Sequence, residues 1–323
     1  MSGNTSATTP GTAGPRLGLI VAGLGKIARD QHLPALAGST AVDLVATADP
    51  QTAAIPGVPH YPSLAAALGA HPGADAVAVC TPPQYRHAVA AEAIAAGRHV
   101  LLEKPPAATL TEMDDLVARA DAAGVSLFAT WHSRFAPAVA PAASWLAGRH
   151  IRRIAVTWKE NVRRWHPGQA WIWQPGGIGV FDTGINALSI LTALLPGRLH
   201  LRAADLDVPD NCAMPVAVRL RFVDIDGAEV TADFDWLLPD PPVWEIAIDT
   251  DDGPLVMSGG GRRLMAGDRL LVDAPDGEYA AIYDHFAALV AAGRSDADVS
   301  PFRLVADAFM IGRQRQVASF SDT

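Results

Sequence analysis

The feature that most constrains the fold of this chain is a glycine-rich turn near its start. The hexapeptide Gly23-Leu24-Gly25-Lys26-Ile27-Ala28 has the spacing G-x-G-x-x-A and follows an apolar run, Leu17–Ala22, typical of a strand buried on both faces. In such a turn the first glycine allows a tight reversal and the second lets the backbone approach a pyrophosphate, while a small third residue packs the helix on the strand. The motif therefore predicts a parallel α/β sheet with a dinucleotide at its edge.

Buried strands and helices continue to alternate as far as Ala129. Further strands are predicted at Val42–Ala48, Ala76–Cys80, His99–Leu102 and Val125–Ala129, with helices beginning near Ile27 and at Leu64–Leu68, His87–Ala96 and Leu110–Ala123. Right-handed crossovers bring the carboxyl ends of parallel strands to one edge of the sheet, where ligands bind. We therefore predict a doubly wound Rossmann sheet over residues 16–134, preceded by a flexible tail, residues 1–15.

Beyond residue 134 the predicted strands become longer and alternate in polarity, which is typical of a sheet with one solvated face. Strands are predicted at Ile154–Lys159, Ala217–Phe222, Glu229–Leu237 and Val243–Asp249, a hairpin turn at Asp224–Gly227, and helices at Gly184–Leu195, Tyr279–Ala292 and Pro301–Ala318. Residues 135–323 are thus predicted to form a second domain, of the α+β class, on a large, open, mostly antiparallel sheet.

Charge and composition argue against several classes of partner. The formal net charge of −9 disfavours nucleic acid and anionic membranes, because both are polyanions. No apolar run approaches the roughly 20 residues of a membrane helix, and residues 1–15 lack the pattern of a secretion signal. The two cysteines, Cys80 and Cys212, give no disulfide framework, which fits a reducing compartment. We therefore predict a cytoplasmic protein.

The predicted choice of cofactor rests on Asp49. This carboxylate follows the second strand, where it can accept hydrogen bonds from the adenosine ribose hydroxyls and would repel a 2′-phosphate. The next residues, Pro50, Gln51 and Thr52, supply no compensating arginine. We therefore predict NAD, preferred over NADP by at least about tenfold in kcat/KM, or ~1.4 kcal/mol.

Two further strand ends reach the same edge. Thr81-Pro82 follows the third strand, and its proline fixes a turn that can pass beneath the nicotinamide ribose. Glu103-Lys104-Pro105 follows the fourth, where the ammonium group can stabilise an alkoxide forming on the substrate. The predicted cofactor-binding residues are Gly23, Gly25, Lys26, Ile27, Asp49, Thr81, Pro82, Glu103 and Lys104.

No metal site is predicted. The ten histidines include no H-x-x-x-H pattern, and the cysteines are not paired in sequence. Hydride transfer to a nicotinamide also needs no Lewis acid when a lysine such as Lys104 stabilises the alkoxide.

Four motifs in order resemble the glucose–fructose oxidoreductase (Gfo/Idh/MocA) family. They are the Gly23–Ala28 turn, Cys80-Thr81-Pro82-Pro83, Glu103-Lys104-Pro105 and Gly179–Asn186, and the resemblance spans residues 16 to 320. It implies a Rossmann domain followed by a substrate-binding domain with an open sheet. Because that sheet often buries against a second subunit in the family, a homo-oligomer is expected.

The resemblance also implies catalytic roles. Lys104 and Asp182 correspond to the family's catalytic lysine and aspartate. Four residues after the aspartate the family typically has a histidine that serves as general base, whereas this chain has Asn186, which cannot take a proton near neutral pH. The Asp-x-x-x-Asn pattern resembles aldose 1-dehydrogenases acting on L-arabinose or D-galactose. The predicted catalytic residues are therefore Lys104, Asp182 and Asn186.

The same resemblance, together with a tryptophan-rich segment, implies a sugar site. Besides the three catalytic residues, the predicted substrate contacts are His132, Glu160, Trp165 and His166. The expected reaction oxidises the C1 hydroxyl of an aldose to the lactone, with Asp182 or Lys104 as proton acceptor. Two alternatives stay open, a dehydrogenase for inositol or another polyol and a non-catalytic sensor that binds NAD and a sugar.

Overall fold

The computed structural model describes residues 16–195 and 199–321, so the predicted tail, residues 1–15, lies outside the described residues. The first sheet has six parallel strands in the order β3-β2-β1-β4-β5-β6. Its strands are β1 (Leu17–Ala22), β2 (Val42–Ala48), β3 (His60–Tyr61), β4 (Ala76–Val79), β5 (His99–Leu102) and β6 (Leu127–Ala129). This order, with the glycine-rich turn after a central strand, confirms the predicted Rossmann sheet.

Helices cover both faces of this sheet. Ile20 of β1 packs in one apolar cluster with residues of α3 and α4, whereas its neighbours Leu19 and Val21 pack on the opposite face. A π-helix, which the sequence pattern did not predict, follows the glycine-rich turn. The helical segments are the π-helix Ala28–His32, α1 (Leu33–Gly38), α2 (Leu64–Ala70), α3 (Pro83–Ala95) and α4 (Leu110–Ala123).

The second sheet has nine strands in the order β14-β13-β12-β11-β7-β10-β9-β8-β15. Most neighbours are antiparallel, as predicted, and the pairs β10–β7 and β15–β8 are parallel. The elements after β6 are a 3₁₀ turn (His132–Phe135), α5 (Val139–Leu146), β7 (Ile151–Lys159), α6 (Val162–Trp165), a 3₁₀ turn (Ala170–Trp173), α7 (Phe181–Leu194), β8 (His200–Pro209), β9 (Ala217–Val223), β10 (Glu229–Asp235), β11 (Val243–Thr250), β12 (Gly253–Ser258), β13 (Arg263–Ala266), β14 (Arg269–Asp273), α8 (Glu278–Ala291), α9 (Ser300–Ile311) and β15 (Arg313–Val317).

Helix α8 belongs by packing to the first sheet, although it follows the whole second sheet in the chain. Its buried residues Ile282, Tyr283 and Phe286 share an apolar cluster with β1 and β4. The segment after α8 then reaches the edge of that sheet, where Asp296 N–H donates to Leu127 O and Asp296 O accepts from Ala129 N–H, each at 2.9 Å. A domain boundary at residue 134 therefore stays a prediction.

The predicted C-terminal helix Pro301–Ala318 is wrong in its second half. Helix α9 ends before Gly312, where a Cβ would lie 2.3 Å from Leu206 Cδ1, so only glycine lets the chain pass this close to β8. The chain continues as β15, parallel to β8, and Arg315 donates two hydrogen bonds to Asp207. Strand pairing and this ion pair outweigh a helical preference that the sequence alone suggests.

None of the helices in residues 16–195 and 199–321 is long and apolar enough to cross a membrane.

Gly184, within α7, lets this helix lie directly on the second sheet. A Cβ at this position would be 2.4 Å from Cδ2 of Phe234, a ring of β10 that is fully buried. We expect Gly184→Ala to lower the free energy of unfolding by about 1–3 kcal/mol, because the added methyl group overpacks a fully buried ring. Urea denaturation measures the change.

The matched control is Gly69→Ala in α2, where a Cβ would meet nothing within 4 Å. Because alanine favours the helical backbone, this variant should be as stable as the wild type or more stable by up to about 1 kcal/mol. Equal stability of the two variants would contradict the close packing of α7 on Phe234.

Candidate active site

The carboxyl ends of β1, β2, β4 and β5 meet at one edge of the first sheet. Gly23, directly after β1, has a φ of +94°, and a Cβ there would lie 2.7 Å from the backbone nitrogen of Thr81. At Gly25 a Cβ would meet nothing within 4 Å. The first glycine thus packs the turn against the end of β4, and the second leaves open space where a pyrophosphate can approach backbone N–H groups.

Asp49 lies beside this turn with its carboxylate fixed by backbone groups. Oδ2 accepts from the N–H of Leu24 at 2.7 Å, and Oδ1 accepts from Gln51 and Thr52 at 2.8 and 2.9 Å. Burial alone would raise the pKa of Asp49, but these backbone hydrogen bonds outweigh it and lower the pKa. An ionised carboxylate is therefore held where it can accept ribose hydroxyls.

Arg29 brings a cation to the same corner, although the sequence next to Asp49 contains no arginine. Its Nε donates to Leu24 O at 3.1 Å and its Nη2 to Ala53 O at 2.7 Å, so it spans the glycine-rich turn and the loop after β2. Lys26 and Ile27 lie between the turn and the π-helix, where Lys26 forms an exposed ion pair with Asp30. Open backbone at Gly25 and a fixed carboxylate fit an NAD(P) cofactor at this edge.

The two residues predicted to carry the chemistry, Lys104 and Asp182, are in direct contact. Lys104 follows β5 of the first sheet, and Asp182 lies in the first turn of α7, which packs on the second sheet. Nζ of Lys104 donates to the main-chain oxygen of Asp182 at 2.7 Å and lies 3.1 Å from its Oδ2. The two side chains are only 11% and 4% exposed, so water screens their charges weakly.

His166 faces the same carboxylate oxygen of Asp182 as Lys104 does. Its Nε2 is 3.7 Å from Asp182 Oδ2 and 3.8 Å from Glu160 Oε1, while its Nδ1 lies 3.3 Å from Gln169 Oε1. Because an amide oxygen only accepts, Nδ1 carries the hydrogen and Nε2 turns a lone pair toward the carboxylates. Burial lowers the pKa of His166, so the ring is neutral near pH 7.

Glu160 is a buried carboxyl group with one unsatisfied oxygen. Its Oε2 accepts from Trp244 Nε1 at 2.9 Å, whereas its Oε1 is buried without a hydrogen-bond partner. Burial raises the pKa of Glu160 to about 7, although the hydrogen bond from Trp244 and the charge of Lys104 act in the opposite direction. A free oxygen in this position is ready to bind a hydroxyl group of a substrate.

Tryptophan rings surround this carboxyl group. The ring of Trp165 lies 5.3 Å from that of Trp244, and the His166 ring lies 5.1 Å from that of Trp236. The buried Nε1 of Trp165 also has no hydrogen-bond partner. Apolar ring faces beside unsatisfied polar atoms suit a sugar, which presents C–H faces and hydroxyl edges. Sequence reasoning missed Trp236 and Trp244 because each reads as an ordinary apolar residue near a strand end.

Of the two other predicted substrate residues, His132 has partners of its own. Nδ1 of His132 is bonded to the Glu278 carboxylate, and its ring stacks on Tyr279 with 5.3 Å between ring centroids. Asn186 is half-buried one turn after Asp182 on the same face of α7. Contact of His132 and Asn186 with a substrate stays a prediction.

Glu103, predicted as a cofactor contact, forms hydrogen bonds that support the loop carrying Lys104. Its Oε1 accepts from His32 Nε2 at 3.0 Å and from the Tyr279 hydroxyl at 2.8 Å, and its Oε2 accepts from the Lys104 backbone N–H at 2.8 Å. The residue is 1% exposed, and its contact with a cofactor stays a prediction. A buried charge needs such partners, and they direct the side chain into the protein.

Arg86 of α3 joins the loops after β4 and β5. Its buried guanidinium donates to the main-chain oxygens of Thr81, Glu103 and Pro105, at 2.7 Å for Glu103. The loop that carries Pro82 and the loop that carries Lys104 are thus held by one cation. Sequence reasoning missed Arg86 because a buried arginine within a helix looks the same in sequence as a solvated one.

The Glu103 network gives a stability prediction. Tyr279→Phe removes one donor from a buried carboxylate, so we expect the free energy of unfolding to fall by about 1.5–3 kcal/mol in urea denaturation. Tyr85→Phe is the control, because Tyr85 is 67% exposed, and its stability should not change. If the two variants are equally stable, the carboxylate does not depend on Tyr279.

Glu160 gives a pH prediction. Its folded-state pKa of about 7 exceeds the ordinary value of 4.5, so the folded chain keeps a proton that the unfolded chain has lost between these values. The free energy of unfolding therefore falls as the pH rises from 4.5 to about 7, and it stays at the lower value above this range. Relative to Glu160→Gln, the wild type should lose up to roughly 3 kcal/mol between pH 4.5 and 8. A difference that stays constant with pH would contradict this environment.

Comparison with known proteins places this geometry among oxidoreductases. The sequence profile of an oxidoreductase family with an NAD-binding Rossmann fold (GFO_IDH_MocA) matches residues 17–130. Galactose 1-dehydrogenase of Pseudomonas fluorescens is 46% identical over 307 residues, which cover 95% of this chain and 99% of that protein. The crystal structure of the D-galactose-1-dehydrogenase protein from Rhizobium etli aligns with a TM-score of 0.92 and 47% identity, over 97% of this chain and 100% of that one.

A more distant structure shares the fold alone. It is a mutant of a 3-ketoreductase from Actinomadura kijaniata in complex with TDP-benzene and NADP. It aligns with a TM-score of 0.83 at 20% identity, over 94% of this chain and 100% of that one.

Proposed function

Because the chain belongs to the Gfo/Idh/MocA family of NAD-binding oxidoreductases, we propose that it oxidises the C1 hydroxyl of an aldose to the lactone. This membership confirms the resemblance found in the sequence motifs. The chain is an NAD(P)-dependent dehydrogenase acting on a CH–OH group. The observation that carries the proposed role of the site is the contact of Lys104 with Asp182 at the edge of the first sheet.

The Lys104–Asp182 pair is arranged for proton removal from an alcohol. A substrate hydroxyl beside Nζ and Oδ2 can give its proton to the carboxylate while the ammonium group stabilises the oxygen that becomes negative. An ammonium group only donates hydrogen bonds, whereas the carboxylate 3.1 Å away accepts them, so we assign proton acceptance to Asp182. A bound nicotinamide supplies the hydride acceptor for this reaction.

The proposed substrate is D-galactose, with L-arabinose and D-fucose as close alternatives. Two relatives that are 46% and 47% identical to this chain are galactose 1-dehydrogenases, which supports D-galactose. The three sugars share an axial C4 hydroxyl and differ mainly at C5, so one site can accept all three. Glu160 Oε1 and the Trp165 Nε1 are unsatisfied polar atoms that a sugar hydroxyl can satisfy.

The proposed cofactor is NAD. The ionised Asp49 supports this, because a carboxylate at the ribose accepts its hydroxyls and repels a 2′-phosphate.

We also propose a homo-oligomer formed through the outer face of the second sheet, to be tested by light scattering, and a cytoplasmic location. Exposed Arg219 and Arg221 alternate with buried residues along β9, so that face is polar.

The first test is NADH formation with a panel of sugars at pH 8, with NAD and NADP in parallel. The panel holds D-galactose, L-arabinose, D-fucose, D-glucose, D-xylose and myo-inositol. We expect turnover of the sugars with an axial C4 hydroxyl, and at least about tenfold higher kcat/KM with NAD. Turnover of myo-inositol alone would move the substrate to polyols, and no turnover of any sugar would favour a non-catalytic sensor.

The second test addresses the catalytic pair. Lys104→Ala and Asp182→Ala should each lower kcat by about 10²-fold or more, because each removes a group that acts on the hydroxyl proton or oxygen. Arg152→Ala, which breaks an exposed ion pair with Asp251, is the control and should retain kcat. Near-normal kcat in either catalytic variant would overturn the assignment.

A further inference from the structure

His166 faces the buried Asp182 and is the more exposed of the two side chains. We propose that its Nε2 accepts the proton that Asp182 takes from the substrate hydroxyl and releases it to water. His166 is then a catalytic residue and not solely a sugar contact. The inference rests on the proposed function, because it assigns one step of that oxidation.

Nε2 of His166 faces two carboxyl oxygens without a direct hydrogen bond to either. Asp182 Oδ2 is 3.7 Å away and Glu160 Oε1 is 3.8 Å away, which is longer than a direct hydrogen bond. One water molecule or sugar hydroxyl beside the line from Nε2 to Asp182 Oδ2 can hydrogen-bond both of these atoms. Proton transfer through one such bridging group is an established geometry for acid–base residues.

The groups that face the ring keep it ready to accept a proton. Its Nδ1–H donates to Gln169, so the lone pair is on Nε2, the nitrogen directed at Asp182 and Glu160. Burial is the main reason that the pKa of His166 is lowered, and the charges of Lys104 and Lys26 lower it further, while Asp182 raises it. Trp236 covers part of the ring.

The position of His166 also lets the proton reach solvent. The residue ends helix α6 and is followed by the exposed Pro167 and Gly168. Its side chain is 13% exposed, against 4% for Asp182 and 3% for Glu160. Among these three groups, the imidazole has the most contact with solvent.

The step is balanced in atoms and charge. The C1–H bond gives its electron pair and hydrogen to the nicotinamide as hydride, the O–H bond gives its proton to Asp182, and a C1=O double bond forms. The proton then moves to Nε2 of His166 and from there to water. Asp182 returns to the carboxylate and His166 to the neutral ring with hydrogen on Nδ1, so the site is ready for another turnover.

The test compares His166→Gln and His166→Ala with the wild type, using the sugar that the wild type oxidises. Glutamine can still hydrogen-bond a sugar near the position of Nε2 but does not titrate. We expect His166→Gln to lower kcat by about 10²-fold with little change in the sugar KM, and kcat to become slower in D₂O. Added imidazole should restore part of the kcat lost in His166→Ala.

A purely sugar-binding role predicts a different pattern. His166→Gln would then keep kcat near the wild-type value and raise KM, and imidazole would not rescue His166→Ala; this result overturns the inference. Turnover of an aldose by the wild type tests the proposed function by itself. Failure of the proton-transfer role of His166 is therefore distinguishable from failure of the aldose assignment.

Discussion

The buried carboxylate of Glu103 imposes a requirement that several distant parts of the chain satisfy together. Burying a charge without partners costs far more than one hydrogen bond gains, so the carboxylate must be surrounded by donors. They come from His32 of the π-helix, Tyr279 of α8 and the backbone of Lys104. Burial would raise the pKa of Glu103, but the hydrogen bond and charge of His32 outweigh it and lower the pKa to about 2. The group therefore stays ionised and keeps the loop that carries Lys104 in place.

Much of the fold could be predicted because it depends on local patterns. The glycine-rich turn, the short apolar strands and the alternating strands of the second half each have a periodicity that the sequence displays. The C-terminal strand β15 could not be predicted, because its pairing with β8 and the Arg315–Asp207 ion pair join residues about a hundred positions apart. The packing of α8 on the first sheet could not be predicted for the same reason.

The candidate site likewise contains residues that local patterns predict and residues that they do not. Lys104 and Asp182 were predicted from motifs that fix each of them on a strand end or a helix, and the structure brings them into contact. Trp236 directly follows β10 and Trp244 lies in β11. The order of these strands in the sheet decides which end faces the site, and sequence periodicity does not give that order. The relation of His166 to Asp182 and Glu160 likewise depends on how α6 and α7 meet, which no local pattern specifies.

Because α8 packs on the first sheet, the segment that a sequence profile recognises differs from the unit that packs around one core. The profile of the NAD-binding family matches residues 17–130, although galactose 1-dehydrogenase matches this chain over 307 residues. Taken alone, that segment would expose the face that Ile282, Tyr283 and Phe286 cover, and it would leave Glu103 without its Tyr279 donor. The segment that the NAD-binding profile recognises is therefore smaller than the unit that packs around one core. A ribosome making this chain has to complete most of the second sheet before the first can reach its final form.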